Sequence, residues 1–198
     1  MELTEQAAWI LSAVELNICI NLLGRSDWTD FPVSYSSHSL HRRMLDNFLH
    51  LARIGLVEPG GSGYRAAEAM KKRLDPAARP EQVAVVSSET MPWARIYIRG
   101  DSAVSIEWLE HDMRSCRVAA LPRSGAAAAL ETLLYSKTAF EEDTAARYLE
   151  FLDGAGGQSG RFRVSRTNNV WTVTDSRGGG AVCPQALLES LFPGGEKQ

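Results

Sequence analysis

Between Ala94 and Pro122 apolar and polar residues alternate with a period of two. Ile96 and Ile98 are interleaved with Arg95, Tyr97 and Arg99, and after Gly100-Asp101 the alternation resumes as Val104, Ile106 and Trp108 against Ser105 and Glu107. This pattern predicts two strands folded at a tight turn. A third apolar run, Arg117 to Leu121, stops at Pro122, which has no N–H to give to a ladder and suits a strand end. Val83 to Val86 is a short unbroken apolar run, read as a further strand beside the hairpin. Farther on, Phe162 and Val164 alternate with Arg161, Arg163 and Ser165, Asn168-Asn169 supplies a two-residue turn, and the strand returns through Val170 to Thr174. A central antiparallel sheet of at least five strands is therefore expected, with a face to cover.

The rest of the chain carries helical spacings. Thr4 to Leu23 is apolar at Ala7, Leu11, Val14, Ile18 and Leu22, widened by Trp9, Ile10, Leu16 and Ile20, which predicts a buried helix ended by Gly24. Trp28 and Phe31, in the polar loop that follows, are expected to tuck back onto the core. Ser36 or Ser37 can cap a second helix with Leu40, Met44, Phe48 and Leu51 on its stripe, broadened by Leu45 and Leu49, up to Gly55. Leu56-Val57-Glu58 and Tyr64-Arg65-Ala66 flank a proline-glycine turn, so helix, helix and small hairpin make a winged-helix-like unit. A helix from Ala67 ends at Asp75-Pro76, and Asp75 to Pro80 reads as a linker. Ala126 to Tyr135 is an alanine-rich helix; Thr138 and Glu141 form a capping box ahead of another, with Phe140, Ala145, Tyr148 and Leu152 on its stripe. A glycine-rich loop, Gly154 to Gly160, precedes the last hairpin, and a short helix runs through Leu187, Leu188 and Leu191. The expected class is α+β: a central antiparallel sheet with flanking helices, a quasi-twofold strand-strand-helix layout, and a winged-helix-like unit over residues 1–80 packed with residues 81–198 as one domain.

Length and charge narrow the partners. A chain of 198 residues with 44% apolar content can bury a core. Its 21 basic and 24 acidic residues leave a net charge of -3, without the basic excess that phosphate binding favours. Residues 81–160 are the acidic part, with seven basic against twelve acidic residues. Cys19, Cys116 and Cys183 are far apart, with no CxxC, and read as buried thiols rather than a disulfide framework or a zinc ribbon. The first residues lack a basic region ahead of their apolar run, and no run reaches the about 18 apolar residues of a membrane span. A cytoplasmic protein that uses no membrane is expected.

Candidate chemistry is thin. His38 and His41 have metal-ligand spacing, with His50 farther along, but there is no HExxH, and exposed helix polar residues explain them as well. Glu107, Glu110 and Asp112 could share acid and base work, although acidic residues around a hairpin end are commoner. Glu141, Glu142 and Asp143 suit the exposed amides of a first helical turn. The run GAGGQSG follows a helical pattern and precedes a strand, the reverse of a dinucleotide fingerprint, and lacks the ending of a P-loop. No GxSxG elbow is present. The chain is accordingly read as no enzyme, with no catalytic residues, cofactor or metal. In the winged-helix-like unit His38, His41, Arg42, Arg43 and Arg53 could meet phosphates, yet Asp46 shares their helix and the wing offers only Arg65, which weighs against nucleic acid. Trp93, Tyr97, Trp108 and Trp171 lie in or beside strands and are the candidate partner-binding residues if one sheet face stays open, with core packing as the competing reading.

Four segments, LTEQAAWILSAVE, LARIGLVEPGGSGYRAAEAMKKRL, ARIYIRGDSAVSIE and RVAALPRSGAAAALETLL, give a layout that resembles the EspG-like chaperones of bacterial type VII secretion. The resemblance lies in hydrophobic spacing over residues 2–135 rather than in signature residues. It implies an α+β fold with a central antiparallel sheet and a cytoplasmic, non-enzymatic chaperone. Such a protein would hold a helical secreted substrate soluble for protein transport. A winged-helix transcriptional regulator is the alternative, and pairing of two copies of the chain is left open.

Overall fold

The described chain begins as a strand, β1 (Trp9–Ser12), and turns at once into α1 (Ala13–Leu22). The computed structural model describes residues 8–26, 28, 40–61, 63–88, 91–109, 114–135, 147–167, 170–175 and 181–182. The helix expected from Thr4 therefore starts nine residues later, and the cause is local. Ser12 and Glu15 form a capping box: Ser12 Oγ accepts the Glu15 N–H at 3.2 Å, and Glu15 Oε2 accepts the Ser12 N–H at 2.8 Å. Gly24, at φ +92°, ends the helix in the left-handed region, and Trp28 is buried as expected, while Phe31, Ser36 and Ser37 lie outside the described residues.

After α2 (Leu40–Arg53) the hairpin of β2 (Val57–Gly60) and β3 (Gly63–Ala66) forms the small wing, and α3 (Glu68–Ala78) follows. The expected linker at Asp75 to Pro80 is instead mostly helix. Pro76 sits in the last turn of α3, where Pro76, Ala77 and Ala78 are all buried, and the Arg79 N–H still bonds the Asp75 carbonyl at 3.0 Å. Burial of these small residues holds a turn that local propensity alone would break.

The sheet then forms from β4 (Gln82–Ser87), β5 (Pro92–Arg99), β6 (Ser102–Trp108) and β7 (Ser115–Pro122) as an antiparallel meander. The β5–β6 hairpin turns at Gly100, φ +52°. The helix α4 (Ala126–Tyr135) leads away from β7, and the chain re-enters the sheet as β8 (Arg147–Asp153), antiparallel to β4. Then β9 (Gln158–Thr167), β10 (Val170–Asp175) and β11 (Ala181–Val182) complete a sheet of nine strands among the described residues, in the order β1-β7-β6-β5-β4-β8-β9-β10-β11. Thr167 pairs with Val170 across the two-residue connection at Asn168-Asn169.

β8 corrects the reading of Tyr148 and Leu152 as part of a helical stripe. In this strand Arg147, Leu149 and Phe151 are buried while Tyr148, Glu150 and Leu152 point to the other face. The remainder of that expected helix, with Thr138, Phe140, Glu141 and Ala145, lies outside the described residues, as do Leu187, Leu188 and Leu191.

Each face of the sheet has its own core. The first is built on Val83, Val85, Tyr97, Val104, Ile106, Trp108, Cys116 and Val118, with α1, α2, the wing and α3 laid over them through Leu16, Ile20, Leu51, Leu56, Met70 and Leu74. The second lies under α4, where Leu130, Leu133 and Leu134 meet Ala84, Val86, Ile96, Ile98, Leu149 and Val164. The run Val83 to Val86 is apolar without alternation because its strand is covered on both sides. Residues from Leu11 to Ala77 share one core with the sheet, so the N-terminal unit is packed on it rather than strung from it.

Candidate functional site

Three of the four aromatic residues expected to meet a partner are core residues. Trp93 and Tyr97 are 0% exposed and Trp108 is 1% exposed. Tyr97 and Trp108 lie beneath α1 and α3 in the first core, and Trp93 lies in the core under α4. Because both faces of this half of the sheet are covered, these side chains hold the layers together and present nothing to a partner, which corrects the expectation for them. Trp171 is placed as a backbone position in β10 opposite Arg166; its side chain lies outside the described residues.

Exposed apolar surface gathers instead on α2. Its inner side carries Leu51, fully buried, and Phe48, whose ring stacks on Tyr64 of β3 with centroids 5.1 Å apart and planes 14° from parallel. His50, in the last turn, reaches through Nδ1 to Glu15 Oε1 on α1. These contacts fix the helix about its axis. A rotation of about 100° per residue then turns Leu45 and Leu49 outward. Leu45 is 55% and Leu49 52% exposed, and Met44 and Ile54 add 36% and 39%. The apolar pattern of α2 is thus wider than the side that packs, and its outer side ends in Asp46 and Arg53, both exposed.

Other candidates resolve into structural roles. The amides of the glycine-rich run are spent locally: Asp153 Oδ1 accepts the Ala155 and Gly157 N–H groups at 2.9 and 2.7 Å, and the Asp153 carbonyl accepts that of Gly156 at 2.9 Å. These three amides are therefore not free to cradle a phosphate. At Gly154 a Cβ would fall 2.2 Å from the Pro80 carbonyl oxygen, so this turn needs glycine to lie against the start of β4. Burial pushes the Glu107 carboxyl up, partly offset by Arg117 3.5 Å away; Glu110 and Asp112 lie outside the described residues. His38 lies outside them too, the side chain of His41 is not described, and among the described residues no group of three or more His, Cys, Asp or Glu is placed to hold a metal ion. In the wing, Arg65 is paired with Glu58 at 3.0 Å. No helix among the described residues is long and apolar enough to cross a membrane.

Beyond the helices the first face continues over β8, β9 and β10 as a polar surface. Arg161 pairs with Glu150 at 3.0 Å and lies over the Tyr148 ring at 5.0 Å, and the hydroxyls of Ser165 and Thr172 meet at 3.0 Å. Glu150 is matched by Arg161, and Arg163, exposed on the same face, adds one further positive charge.

Cys19 and Cys116 are buried free thiols in the first core. Burial, with a smaller contribution from the Glu15 carboxylate, pushes both from 9.0 to about 12, and the Cys116 Sγ donates to the Leu11 carbonyl at 3.4 Å. The thiolate is the reactive form. In a Cys183→Ser background both thiols should resist a disulfide reagent at pH 8 over hours in the native protein and react within minutes in denaturant. Fast stoichiometric labelling of the native protein would contradict this placement.

Neither a family model nor a curated protein matches the chain.

Proposed function

We propose that this protein is a non-enzymatic cytoplasmic chaperone of the EspG-like kind, binding a helical type VII secretion substrate and keeping it soluble for export. The outer face of α2 is its contact surface. The observation that carries this reading is the outward placement of Leu45 and Leu49 on a helix held rigidly from behind by Leu51, Phe48 and His50. An amphipathic helix offers apolar side chains at a spacing of three and four residues, the complement of such a surface. Phosphate binding would be poorly served by two leucines and Asp46 on the outward side of the helix before the wing.

The test is capture of the full-length tagged chain from its native host. A one-to-one complex with a small helical secreted protein is expected, and it should be lost in Leu45→Asp/Leu49→Asp while far-UV circular dichroism and melting stay near those of the parent. Retention of the complex in that variant, or its absence from the parent, overturns the reading. Submicromolar, salt-steep binding to duplex DNA by the parent would put the winged-helix regulator in its place.

A further inference from the structure

The outer side of α2 carries more information than exposed leucines. Asp46, Leu49 and Arg53 follow one another at spacings of three and four, so they form a single stripe along the helix. Asp46 and Arg53 are both exposed, and neither has an ion-pair or hydrogen-bond partner among the described residues. The acid stands one heptad before the base, with the leucine between them. A stripe in this order is complementary to itself when a second helix runs antiparallel.

We propose that the occupant of this face, when no client is bound, is a second copy of the same chain, the two α2 helices packing antiparallel about a twofold axis beside Leu49. The axis falls midway between Asp46 and Arg53, so Asp46 of each copy meets Arg53 of the other and the two leucines meet at the centre. One operation makes both ion pairs, as an isologous contact requires. Leu45, 55% exposed, widens the apolar centre on one flank. A contact built on one helix from each copy belongs to the small, transient class below about 1,200 Å², so the dimer forms and dissociates with concentration. The inference rests on the reading of the outer face of α2 as a docking surface and adds its regulation: self-association covers the leucines, and a client must displace the second copy.

Sedimentation of the full chain over a series from micromolar to submillimolar concentration tests it. The parent should rise from monomer toward twice the monomer mass, and Leu49→Asp should remain monomeric throughout. Asp46→Arg sets like charges against each other twice and should weaken the dimer about tenfold. Combining Asp46→Arg with Arg53→Asp rebuilds both pairs with reversed polarity and should restore the parent constant. A parent that stays monomeric, a dimer indifferent to Leu49→Asp, or a charge swap that fails to restore association each overturns the proposal. A monomeric parent that still captures a helical secreted protein through Leu45 and Leu49 removes the second copy and leaves the chaperone reading standing. A dimer that follows the charge swap with no client captured does the reverse.

Discussion

Trp108→Ala is expected to lower folding stability by about 3–5 kcal/mol, the cost of emptying a large buried aromatic site that cannot fully collapse. Trp108 is 1% exposed and closes β6 opposite Cys116, in the core where Leu16 of α1 and Met70 of α3 come down on the sheet and Leu11 of β1 joins them. The core it shares takes in β1, α1 and α3; sheet pairing fixes β1 to β7 and the capping box fixes the start of α1, so little relaxation can fill the space. A domain of ordinary stability has about 5–15 kcal/mol to lose, so the variant should lie close to the edge of folding. The measurement is the urea midpoint, with an unchanged slope showing that the loss is one of stability. Ile10→Ala, at a position 52% exposed on β1, is the control and should move the midpoint little. A Trp108→Ala loss below about 1 kcal/mol would mean that the ring is not where the helices meet the sheet.

The same residue shows how far the sequence could be read. Alternation in Ala94 to Trp108 predicts the hairpin because one face of each strand differs from the other, and the unbroken run Val83 to Val86 marks a strand covered on both sides. Which layer would lie over Tyr97 and Trp108 depends on where α1 and α3 pack, and that is decided by contacts between residues far apart in the chain. The helical reading of Tyr148 and Leu152 failed for a definable reason. A spacing of four returns to one side of a helix and also to one side of a strand, so those two residues could not separate the alternatives. Leu149 and Phe151, buried on the opposite face with Arg147, carry the deciding period of two. At the N-terminus the local signal is legible: Ser12 followed by Glu15 is a capping box, which sets the helix start at Ala13 however apolar the preceding residues are. On α2, the apolar stripe was visible in the sequence, whereas the exposure of Leu45 and Leu49 depends on Phe48 finding Tyr64 and His50 finding Glu15.

Glu15→Ala should cost about 2–4 kcal/mol, because one buried carboxylate serves three elements and its removal leaves polar groups without acceptors. Glu15 is 5% exposed. Its Oε2 takes the N–H of Ser12, an amide at the sheet edge that completes β1 while opening α1, and its Oε1 takes the imidazole of His50. The alanine variant keeps the Ser12 hydroxyl as a cap for α1, so that part of the stability survives. What it loses is the tie between α1 and α2 and the acceptor for the edge amide. Glu15→Gln retains an acceptor oxygen and should lose less than half as much. His50→Ala, at a side chain 35% exposed, should cost less than Glu15→Ala, and the double variant should show a coupling of at least about 1 kcal/mol. Hydrogen exchange should place the loosening in α2, whose amides would open without global unfolding. The proposed docking face then rests on a hydrogen-bonded contact on its far side: with α2 freed, Leu45 and Leu49 lose their fixed outward aim, and client binding should weaken in Glu15→Ala although no residue on the outer face has changed. A coupling below about 0.5 kcal/mol, or exchange that is fastest elsewhere, would show that α2 is held by Leu51 and Phe48 alone.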